Sequence, residues 1–72
     1  MTFTTLTHPL PALLHVGGHT YEIEVIRQRR GRYQVRLAES EPKGTRIIVT
    51  RGARVLVHGV TTSVPISAVE LR

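Results

Sequence analysis

Tyr21-Glu22-Ile23-Glu24-Val25-Ile26-Arg27-Gln28-Arg29-Arg30-Gly31-Arg32-Tyr33-Gln34-Val35-Arg36-Leu37 is the stretch whose reading decides the fold of this 72-residue chain. Before the arginine run, Tyr21, Ile23 and Val25 alternate with Glu22 and Glu24. After it, Tyr33, Val35 and Leu37 alternate with Gln34 and Arg36. Period-two alternation on both sides of a glycine-containing turn reads as a β-hairpin. Its tip then carries Arg27, Arg29, Arg30 and Arg32, where no core can hide them.

The register follows from the faces. With a three-residue loop Arg29-Arg30-Gly31, Gln28 faces Arg32. Val25 then meets Val35 and Ile23 meets Leu37 on one face, and Glu24 meets Arg36 on the other as an opposite-charge pair. Gly31 falls at the last loop position, which favours positive φ. The two-residue loop Arg30-Gly31 sets Ile26 against Val35 and reverses the apolar faces, a slip that a buried face disfavours.

The rest of the chain reads as short strands between breakers. Residues 1–12 form an extended N-terminal arm: four threonines precede Pro9 and Pro11, which oppose helix. Leu13–Val16 makes a first strand, Gly17-Gly18 turns it, and His19–Gln28 returns. Glu39–Gly44 is a loop. Residues 45–50 and 53–58 form a second hairpin around Thr50-Arg51-Gly52, pairing Ile47 with Val55 and Val49 with Ala53. Pro65 restricts the last part to an edge or a strand start, and residues 65–68 suit a single 3₁₀ turn before Val69-Glu70-Leu71. The expected core is Ile23, Val25, Val35, Leu37, Ile47, Val49, Val55 and Val57. Residues 13–72 are thus expected to be one all-β domain, a five- to six-stranded antiparallel barrel of SH3-like or OB-like form, because closure removes exposed edges.

Residues 16–25 with 31–37 also resemble hairpins found ahead of biotinyl domains in carboxylase subunits. The Met-Lys attachment motif of those carriers is absent, since Met1 is the only methionine and Lys43 lies in Pro-Lys-Gly. The carrier function is therefore not implied.

Composition narrows the function. Nine Arg and one Lys face five Glu and no Asp, a net charge of +5. Such a balance suits a polyanion or an acidic protein surface. There is no cysteine, which excludes disulfides and thiolate metal sites. The first residues lack the pattern of a secretory leader and no apolar run approaches a bilayer span. A cytoplasmic protein is the expectation. A chain this short buries only about 60% of its unfolded surface, so self-association is one way to complete its core.

Catalysis has no motif behind it: Ser40, Ser63 and Ser67 lie in no nucleophile elbow, and Glu22 and Glu24 read as a solvated face balancing Arg36 and Arg27. His15 and His19 straddle Gly17-Gly18, with His8 and His58 elsewhere, so no tetrahedral metal set is expected. No cofactor is implied. The leading expectation is a non-catalytic module that contacts the backbone of DNA or RNA through Arg27, Arg29, Arg30 and Arg32, with Arg51 and Arg54 extending the stripe from the second hairpin. The alternative is an accessory subunit that docks on a protein complex by its arm, a sheet edge or its arginine surface.

Overall fold

The computed structural model describes residues 4–48 and 55–72. Seven strands are present among them: β1 Thr4–Val16, β2 His19–Arg29, β3 Arg32–Leu37, β4 Ile47–Ile48, β5 Val55–Leu56, β6 Thr62–Pro65 and β7 Val69–Leu71. A 3₁₀ turn, Ile66–Ala68, joins β6 to β7, as the Pro65 pattern suggested. Five strands form one antiparallel sheet in the order β6-β3-β2-β1-β7, and β4 pairs with β5 in a second.

Neither sheet closes, which corrects the expected SH3-like or OB-like barrel. The two edges of the large sheet are β6 and β7, and no ladder joins them. A flat five-stranded sheet would hold its outer strands roughly 19 Å apart. The four residue steps from Pro65 to Val69 cover at most about 14 Å. The sheet must therefore curl until its edges approach, and the 3₁₀ turn bridges the remaining gap. The edges are only four and three residues long, and short edges give other chains little to pair with.

The concave face holds the core. Ala12 and Leu14 come from β1, Ile23 and Val25 from β2, Val35 and Leu37 from β3, and Val64 from β6. Ile47 and Leu56 reach the same cluster from the small sheet. Tyr21 and Tyr33 pack against it from its margin. Among the described residues Thr62 is the one buried polar residue, across from Val35, and no buried side-chain polar atom among them lacks a partner.

Residues 4–12 do not stand apart as an arm. Thr4 and Thr5 pair with Gln28 and Arg27, and Leu10 to Ala12 with Val25 to Ile23. The prolines are tolerated because of where their missing donors fall. Pro9 lies within the irregular stretch between Thr5 and Leu10. The Pro11 carbonyl accepts the Arg72 N–H at 3.1 Å, so its absent N–H faces the far end of β7 and leaves the β2 ladder intact.

The central hairpin combines both candidate registers. Ile23↔Leu37, Glu24↔Arg36 and Val25↔Val35 match the expected faces. Beyond them Arg27 pairs with Gln34, Gln28 with Tyr33 and Arg29 with Arg32. Gln28 therefore does not face Arg32, and the loop is Arg30-Gly31 rather than Arg29-Arg30-Gly31. Ile26 is the extra residue of a β-bulge that reconciles the two halves. Gly31 has φ +74°, the conformation only glycine adopts freely.

The small sheet is displaced by one residue from expectation. Ile47 pairs with Leu56 and Ile48 with Val55. Leu56 is fully buried, while Val55 and Val57 are half-buried and Ile48 is 66% exposed. Val49 and the Thr50-Arg51-Gly52 loop lie outside the described residues.

Candidate nucleic-acid interface

Side chains alternate across a strand, so a bulge changes which residues share a face. Without Ile26 as the extra residue, alternation from Val25 would send Arg27 and Arg29 toward the core. With it, Arg27 lies across from Gln34 and Arg29 across from Arg32 on the convex outer face. The bulge thus spares the core two guanidinium groups and sets like charges directly opposite one another. Such a pair is locally unfavourable.

The outer face is polarised along β2. Its first half carries Glu22 and Glu24, and its second half Arg27 and Arg29. Glu24 accepts from Arg36 Nε at 2.8 Å, and Glu22 from Arg72 Nη2 at 2.8 Å. His15 Nε2 lies 3.0 Å from Glu70 and donates to it, while Nδ1 meets the Thr20 hydroxyl at 3.1 Å. These exposed pairs gather at the Gly17-Gly18 end and the middle of the sheet. Glu22 balances Arg72, and the expected link from this acidic face to Arg27 does not form.

Arg27, and Arg32 on the neighbouring β3, are held by neutral groups. Arg27 Nη1 donates to Gln34 Oε1 at 2.8 Å, and Gln34 Nε2 donates on to Thr61 Oγ1 at 3.0 Å. Arg32 donates from Nε to Ser63 Oγ at 2.6 Å and from Nη2 to the Ser63 carbonyl at 3.1 Å. Neither Arg27 nor Arg32 forms an ion pair among the described residues. Each keeps its full charge and some of its five donors. Arg30 is exposed at the turn. Arg32 is half-buried rather than projecting into water, and it clamps β3 to β6. Arg51 and Arg54 lie outside the described residues.

Gln34, Thr61 and Ser63 were not evident from the sequence as members of this surface. The alternation of β3 places Gln34 beside Arg32 and Arg36. Nothing local shows that residues near 62 return to pair with β3.

Glu22 also organises the loop after β3. Its N–H donates to Glu41 Oε2 at 2.7 Å, its carbonyl accepts from Ala38 N–H at 3.1 Å, and its carboxylate accepts from the Ser40 hydroxyl at 2.5 Å. The Ser40 hydrogen bond, then the Arg72 guanidinium, hold its carboxyl below the usual glutamate range. A folded pKa below the unfolded value, about 4.3, stabilises the fold above that value. The contribution is lost as pH falls through the folded pKa. Glu22→Gln is therefore expected to melt below the native protein at pH 7, and the two melting curves should converge only once the pH has fallen through the lowered folded pKa. Thermal scans across that range check it.

Away from the basic end, an open recess of about 580 Å³ is lined by Glu24, Arg36, Leu37, Glu39, His58 and Gly59. His58 Nε2 donates to the Glu41 carbonyl at 2.9 Å, tying the recess wall to the same loop. Among the described residues no three His, Cys, Asp or Glu side chains converge on a point that could hold a metal ion. No described helix is long and apolar enough to cross a membrane.

No protein-family model, curated protein or solved structure matches the chain. The chain itself is a small basic all-β domain with exposed Arg and His ion pairs and a surface compatible with an acidic partner.

Proposed function

We propose that this domain is a non-catalytic binding module that contacts nucleic-acid backbone through the arginine end of the β2–β3 hairpin. The observation that carries the reading is the sorting of its arginines. Arg36 and Arg72 are neutralised by carboxylates, whereas Arg27 and Arg32 are fixed by an amide, a hydroxyl and a backbone carbonyl. A guanidinium that only staples a fold is as well served by a carboxylate. One held in place without losing its charge is prepared for an external anion, and its ordering costs less on binding. Arg30 adds an exposed charge at the turn. Docking by a free arm is less well supported, because residues 4–12 are part of β1.

Mobility shifts of mixed DNA and RNA probes at low and high salt test the reading. A complex at low salt that dissolves at high salt is expected. A folded protein with no affinity for either at low salt overturns it. Co-purification with one acidic protein, without a shift, assigns the same arginines to a protein surface.

A further inference from the structure

Resting on that reading, we infer that the partner is double-stranded, held by its phosphates without readout of base sequence, on a platform that spans three strands rather than on the hairpin tip alone. Two hydrogen-bonded rows cross the convex face. One runs from Arg27 on β2 through Gln34 on β3 to Thr61, the residue before β6. The other runs from Arg32 on β3 to Ser63 on β6. Strands lie about 4.8 Å apart, so the first row spans roughly 10 Å. Guanidinium, amide and hydroxyl groups are the side chains that meet phosphate oxygens and sugars, contacts that set position and carry no sequence information.

Among its described residues this face presents no stacking platform for a single strand. Unpaired bases bind by stacking on aromatic rings. Tyr21 and Tyr33 belong to the concave side, packed against the core, and among the described residues no tyrosine or phenylalanine joins the two rows. A duplex presents about one negative charge per 1.7 Å of its axis, twice the density of one of its strands. A rigid array of charges without stacking groups gains most from that density.

Gln34 is a positioning residue within the platform, since it aims Arg27 while leaving its charge intact. Gln34→Glu would convert that contact into an ion pair like Glu24–Arg36, with little demand on the fold.

Anisotropy titrations with duplex DNA, duplex RNA and a single strand of equal length, at one salt concentration, are the experiment. The duplexes are expected to bind at least about tenfold tighter than the single strand, and duplexes of different sequence nearly alike. The two duplex arms report which helix form is preferred. Gln34→Glu should keep its melting temperature and flatten the dependence of log affinity on log salt by about 0.9. Binding of the single strand as tightly as the duplex overturns the inference while leaving the proposed function standing. An unchanged salt slope in Gln34→Glu confines the surface to the tip and overturns the platform. Absence of binding to every probe removes both readings.

Discussion

Leu56→Ala is expected to cost the domain about 2–5 kcal/mol, the range for deleting a leucine side chain from a packed interior. Leu56 is fully buried and belongs to the core cluster, although its strand is only two residues long. Domains of this length have roughly 4–11 kcal/mol of total stability. The melting temperature should fall by at least about 8 °C, since each kcal/mol shifts it by about 4–8 °C at this size. Val55→Ala, at a half-buried site on the opposite face, should cost only about 1 kcal/mol. The pair of variants measures the register of the small sheet. A larger loss from Val55→Ala than from Leu56→Ala would restore the pairing of Ile47 with Val55 and refute the one described.

Arg27→Ser combined with Arg30→Ser should give the largest change in binding. Each lost phosphate contact removes about 0.9 from the salt slope on duplex DNA, so the double variant should lose about 1.8. Affinity at low salt should fall for every sequence in similar proportion, because phosphate contacts do not discriminate. Both side chains are exposed, so the melting temperature should hold. Arg32 belongs in a separate test, because its loss also breaks two hydrogen bonds to Ser63. A double variant with native affinity and native slope would take these arginines out of the binding surface.

The hairpin was legible because its determinants are local. Alternation places Val25 with Val35 and Ile23 with Leu37 wherever one face is buried, and Glu24 with Arg36 follows. Pro65 ahead of a short polar-apolar run was enough to place the 3₁₀ turn. Gly31 marked the tip for the same reason, since its positive φ is a property of one residue. The excess of arginine over glutamate, and its concentration between residues 27 and 32, needed no structure at all.

Ile26 shows where local rules run out. The apolar faces favour one register, the Arg30-Gly31 turn favours the other, and each is right for its own half of the hairpin. A chain read two residues at a time presents these as rivals. The folded sheet accepts both, because one bulged residue costs less than either a reversed core face or arginines aimed into it. The small sheet differs by a single residue for a related reason: Val55, Leu56 and Val57 are all apolar, so alternation cannot say which one faces inward. Packing against the concave face selects Leu56.

The sequence by itself determined an all-β chain, a central hairpin, a basic turn and a terminal 3₁₀ turn, because each depends on residues a few positions apart. Only the tertiary structure decided that the sheet curls without closing, and that Arg32 and Gln34 find Ser63 and Thr61 about thirty residues away. Pairing of β3 with β6 depends on loop closure and on the shape of the shared core, and neither has a local signature. That pairing is what turns a charged tip into a surface whose arginines are oriented and still carry their charge.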